Sequence, residues 1–145
     1  MKRFRNCIID RNIHLAIDQA ESLLSAGSRM IEDISNKNDF KYNSGIGSQI
    51  ALNLISPRDL VNIFTYRPWT TSKAIGYYKN GCIHLSLYFL DEFNFNDVVG
   101  LLLHEYAHHC GYNHYSAFGT SNFKTQHKVK HSVPYFLSEN VEEWL

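Results

Sequence analysis

An α+β fold, with one small mixed sheet between an amino-terminal helix and a second, later helix, is the reading that three features predict. Apolar residues recur at helical spacing near the start of the chain. Runs rich in β-branched and aromatic residues, punctuated by turn signals, fill the middle. A capped apolar stretch follows them. The 145 residues are 44% hydrophobic and 14% aromatic, enough for one domain with its own core, so residues 1–145 are read as a single unit.

Ile13, Ile17, Ala20, Leu24 and Ile31 define the first helix, over residues 12–34, with Asn12 as its N-cap and a loosening at Ser25-Ala26-Gly27-Ser28. Residues 35–48 are polar and read as a loop. Gly45-Ile46-Gly47 within it lacks the third glycine of a dinucleotide fingerprint and is taken as a turn. From Gln49 to Tyr88 the chain reads as strands. Residues 60–66 form one, ended by Pro68, which cannot donate to a ladder. Residues 74–78 form the next, and Lys79-Asn80-Gly81 turns the chain into a strand beginning at Cys82. Alternation there puts Ile83, Leu85 and Leu87 on one face and Cys82, His84 and Ser86 on the other. Asn94 or Asn96 caps a helix over about 97–110. The acidic end, with Glu139, Glu142, Glu143, Trp144 and Leu145, reads as a surface helical turn.

Composition narrows the function classes. Fourteen basic residues balance 14 acidic ones, which argues against a nucleic-acid partner. The longest apolar run, Val98 to Leu103, is far shorter than the roughly 18 residues of a membrane span. Three widely spaced cysteines do not make a disulfide framework, and the basic start lacks the apolar core of a signal peptide. A cytoplasmic protein is expected, and an effector or toxin delivered by another route is compatible with the same features. No feature specifies an oligomeric state.

The chemistry lies in residues 104–114, His-Glu-Tyr-Ala-His-His-Cys-Gly-Tyr-Asn-His, which fit the pattern H-E-x-x-H-x-x-G-x-x-H. On a helix, His104 and His108 stand about 40° apart and can converge on one cation. Gly100, one turn earlier on the same face, leaves room beside them. Val99, Leu103, Tyr106 and Cys110 form a separate stripe suited to the core. A third histidine would point elsewhere on a continuing helix, but Gly111 can end the helix sharply and let His114 return. Three neutral imidazoles and one open position make a catalytic zinc site, and Glu105 is placed to act as general base toward the water in that position. A chance H-E-x-x-H arises in roughly one such chain in 50. The later Gly and His reduce this to roughly one in ten thousand.

The pattern resembles that of the metzincin clan of zinc metalloproteases. That resemblance implies a zincin-like fold in which the first helix backs the sheet and the second is the active-site helix, so that the chain is one metzincin-like metallopeptidase domain. It implies zinc held by His104, His108 and His114, and Glu105 as the base in hydrolysis of a protein or peptide substrate. It also implies an edge strand, at about 82–88, on which an extended substrate pairs. The clan's methionine turn is not reproduced, since only Met1 and Met30 are present. Ser132-Val133-Pro134-Tyr135 resembles the Ser-x-Met-x-Tyr turn of some members, without its methionine and one residue shorter. It makes Tyr135 a candidate donor to an oxyanion.

Two alternatives differ in kind. Gly111-Tyr112-Asn113-His114 also resembles the tail of the three-histidine motif in zinc-dependent endoribonucleases of ribosomal-RNA maturation. That family has glycine where this chain has Glu105. A non-catalytic metal-binding module would have no use for Glu105. Of the remaining candidates, His109 lies about 100° round the helix from His108 and is not expected to be a ligand. Cys110 is expected to be a buried thiol, and His84 an ordinary exposed histidine. His127 and His131 are read as part of the solvated basic stretch Lys124 to His131.

Overall fold

The computed structural model describes residues 1–8, 13–40, 46–67, 75–114 and 132–145. Asn12, Pro68 and the Lys124–His131 stretch lie outside them. Strand β1 (Phe4–Asn6) opens the chain and pairs in parallel with β2 (Val61–Tyr66). β2 pairs in parallel with β4 (Cys82–Ser86), and β3 (Gly76–Lys79) lies antiparallel on the far side of β4, giving the order β1-β2-β4-β3. Asn80 and Gly81, with φ of 51° and 76°, form the two-residue β3–β4 loop, the geometry that matches the right-handed twist of paired strands. The sheet is therefore mixed, as expected. The expected edge strand is corrected: residues 82–86 lie inside the sheet, and the hairpin leaves β3 outermost.

The first predicted helix is two helices. In α1 (Ile13–Leu23), Ile13, Ala16, Ile17, Ala20 and Leu23 face the core. Ser28 then caps α2 (Arg29–Ser35), its hydroxyl accepting from the Ile31 N–H at 3.2 Å. A third helix, α3 (Gly47–Ile55), replaces the strand expected from Gln49. Ile50, Ala51 and Leu54 are buried at helical spacing while Leu52 is exposed, so a 3.6-residue period wins over the β-branched content. Gly47 opens this helix where a Cβ would come within 2.1 Å of the Ile34 and Lys37 carbonyl oxygens. Its role is close packing against α2.

Two further helices follow β4. Short α4 (Leu87–Glu92) takes Leu87 out of the strand to which the alternation assigned it. Asn94 caps α5 (Phe95–His109), its side chain accepting from the Asp97 N–H at 3.0 Å. Every residue of α5 from Val98 to Ala107 is buried. The helix packs against α1, β3 and β4, and also against α6 (Val133–Glu139) and α7 (Val141–Trp144). Ser132-Val133-Pro134-Tyr135, expected as a turn, is the N-cap and first turn of α6, where proline's fixed φ and missing N–H are tolerated. The carboxyl-terminal residues are corrected from a surface turn. Val141 and Trp144 are buried, and the Trp144 indole donates to Asp33 at 2.7 Å. Among the described residues, no helix is long and apolar enough to cross a membrane.

Candidate metal centre

The site grows from the last two turns of α5. His104 and His108 stand one turn apart, with ring centroids 5.2 Å from each other. The helix then ends in a Schellman motif. The Tyr112 N–H bonds to the Ala107 carbonyl and the Gly111 N–H to the His108 carbonyl, both at 3.0 Å. This closure requires the φ of +96° seen at Gly111, a region that side chains with a Cβ rarely enter. The reversal brings the His114 ring within 4.9 Å of His108 and 5.3 Å of His104.

The three imidazoles offer one nitrogen each, all within 4.8 Å of one another, a group that could hold a metal ion. A point among such donors lies no more than about 2.8 Å from each. Shifts under an ångström therefore reach the Zn–N length of about 2.0–2.1 Å. The surroundings suit neutral ligands. Burial, and then the neighbouring rings of His108 and His114, lower His104 to about 3; a hydrogen bond to the Pro134 carbonyl opposes this. Burial, and then His114, lower His108 to about 4. Burial also lowers His114. The His108 Nδ1–H donates to the Tyr112 carbonyl at 2.8 Å. The His104 and His108 rings are thus oriented by backbone carbonyls of other residues, the kind of outer partner that fixes a ligand's tautomer.

Glu105 is buried beside the cluster. Burial pushes its carboxyl up to about 7, opposed by a hydrogen bond from the Tyr78 backbone N–H on β3. Tyr135 arrives from α6, its ring 4.8 Å from that of His104 and 5.1 Å from that of His114. A cavity of about 400 Å³ runs from His104, Glu105, His114 and Tyr135 toward the start of α5. A second groove, between Tyr77 and Tyr78 of β3 and the Glu105–His108–His114 side, opens along the outer strand.

His109 and Cys110 fall away from the centre, as the helical angles require. His109 turns to the other side of α5. Its Nε2–H donates to the Asp59 carbonyl at 3.1 Å, leaving Nδ1 to accept from the Tyr78 hydroxyl at 2.9 Å. Burial pushes the Cys110 thiol up to about 11. His84 is not an ordinary exposed residue: its ring is stacked against Tyr77 at 4.5 Å and Phe64 at 5.8 Å. His127 and His131 lie outside the described residues. Gly100 does not leave open room. The Ser138 carbonyl of α6 occupies that space, 2.9 Å from where a Cβ would stand.

Asn53 on α3 was not legible in the sequence. Its side-chain amide donates to the Cys110 carbonyl at 3.2 Å and to the Tyr112 hydroxyl at 2.7 Å, and Arg58 in turn bonds Asn53. These contacts hold the Gly111 turn, and with it His114, from a helix 57 residues earlier. No signal in the local pattern marks Asn53. No protein-family model, no curated protein and no solved structure matches this chain.

Proposed function

We propose that the protein is a zinc-dependent endopeptidase of metzincin-like, zincin type. The observation that carries this reading is the convergence of His104, His108 and His114 with Glu105 buried at their side and a cavity opening from them. Three imidazoles with room for a further ligand are the donor set of catalytic zinc, and bound zinc would supply a Lewis acid and lower the pKa of water. Glu105 takes the proton of the attacking water and passes it to the departing amine nitrogen. The Tyr135 hydroxyl donates to the developing oxyanion. An extended peptide pairs with the outer strand β3, whose free side faces away from β4 and whose residues line the groove. The order along the chain, from backing helix through β2, the outer strand β3 and its partner β4 to α5, supports the same assignment.

Glu105 decides between this reading and a passive metal module, because only hydrolysis has a task for a buried carboxyl there. The test combines metal analysis of purified protein with a proteome-wide cleavage assay of wild type and Glu105→Gln. Zinc is expected at one ion per chain in both proteins. Cleavage is expected to fall by about 10²–10⁴-fold in the variant. Equal cleavage by the two proteins removes Glu105 from the mechanism, and absence of bound metal from both removes the reading itself.

A further inference from the structure

The cavity beside the histidine cluster has a second end with its own chemistry. Its walls there are Ile75, Phe89, Phe93 and Leu101, and Asp97 lies at its rim. Phe89 and Phe93 form a paired aromatic wall, with centroids 4.4 Å apart. Asp97 is exposed, and its backbone N–H is taken by the Asn94 cap. Among the described residues its carboxylate has neither a hydrogen-bonding nor an ion-pairing partner. No lysine or arginine is among the described residues that line the cavity.

The geometry relates this carboxylate to the cluster. Asp97 and His104 are seven residues apart on α5, which places them about 20° apart on one face and about 10 Å apart along the axis. The apolar walls fill the interval. A lysine or arginine side chain has matching parts: an apolar stem spanning about 6 Å and a cation at its tip. With its backbone at the histidine end, the stem lies along Leu101 and the phenylalanines, and the cation meets Asp97. The aromatic faces add to the attraction for a cation. A purely apolar side chain would fill the walls but give the carboxylate no partner, and an acidic one would be repelled.

We infer that this end of the cavity is a side-chain subsite for lysine or arginine, with Asp97 as the specificity-determining residue. The inference rests on the peptidase reading above, since it presumes a peptide held at the histidine cluster.

Binding rather than turnover tests it. Zinc-loaded Glu105→Gln protein is titrated with three short peptide hydroxamates that differ in one side chain: lysine, norleucine or glutamate. The lysine compound is expected to bind about three- to tenfold more tightly than the norleucine compound, and the glutamate compound most weakly. Adding Asp97→Asn should abolish the preference for lysine over norleucine, and Asp97→Lys should reverse it in favour of glutamate. Circular dichroism confirms that each variant is folded. Equal affinities for all three compounds, or an unchanged ranking in Asp97→Asn, overturn the assignment of Asp97 and leave the peptidase reading standing. Failure of every hydroxamate to bind the zinc-loaded protein overturns both.

Discussion

At the scale of single residues, one backbone angle decides whether the third imidazole joins the other two. Gly111 holds a φ of +96°, and the Schellman bonds at the end of α5 depend on it. A side chain at such an angle costs about 1–2 kcal/mol. Gly111→Ala meets no steric obstacle, because nothing lies within 4 Å of the added Cβ. The expected outcome is therefore a folded protein with a modestly lower melting temperature and zinc affinity weakened at least tenfold, measured by competition with a chromophoric chelator. Unchanged affinity would show that His114 does not depend on this turn. The histidines were legible in the sequence because their convergence is local. An i, i+4 pair, a glycine and a short return to His114 fit within eleven residues. Tyr135 became legible only through a resemblance, and Asn53 not at all, because its partner Cys110 is 57 positions away.

At the scale of elements, the meeting of α5 and α6 carries the arrangement. Gly100 lets the Ser138 carbonyl approach to where a Cβ would stand 2.9 Å away, and the same crossing brings Tyr135 and the Pro134 carbonyl to His104. Gly100→Ala forces the helices apart, at an expected cost of about 1–3 kcal/mol typical of overpacking. Chemical denaturation should show this loss, and zinc affinity should fall with it because His104 loses its carbonyl partner. Stability equal to wild type would mean that α6 does not seat on Gly100. Elements with local signals were readable: the Asn80-Gly81 hairpin, the Asn94 cap and the helix it opens. α3 was misread because Ile50 and Ile55 bear β-favouring side chains, although Ile50, Ala51 and Leu54 already had helical spacing. Strand order was out of reach in principle. Both parallel pairings of the sheet join segments distant in sequence, and no local pattern states which strand ends outermost.

At the scale of the whole molecule, protons and metal compete through folding. In the metal-free protein His104 and His108 titrate at about 3 and about 4, against an ordinary 6.5 in an unfolded chain. As pH falls below 6.5 the unfolded chain takes up protons that the folded site refuses, so stability declines until the folded values are reached. Glu105 works in the opposite sense. Raised from 4.5 to about 7, it retains its proton in the folded state and favours folding as pH falls from 7 to 4.5. Two histidines outweigh one carboxyl, so the net effect of acid is destabilising. The melting temperature of the metal-free protein should drop between pH 6.5 and 4. The rise on adding zinc should be nearly the same at pH 7.5 and 5.5 and shrink only toward pH 4, where protons begin to compete for the folded imidazoles. A melting temperature that is flat or climbs on acidification would contradict the burial of the two rings.

The helix that bears His104 and Glu105 has no solvent-facing side between Val98 and Ala107. Segments enclosed in this way open only when the entire domain opens, whereas frayed or half-wet helices breathe on their own. Amide protons in this stretch should accordingly be among the last to exchange with heavy water. Any adaptation to different ligands has to come from the surrounding walls and from the less enclosed His108 and His114, because the stretch bearing His104 and Glu105 is packed on every side.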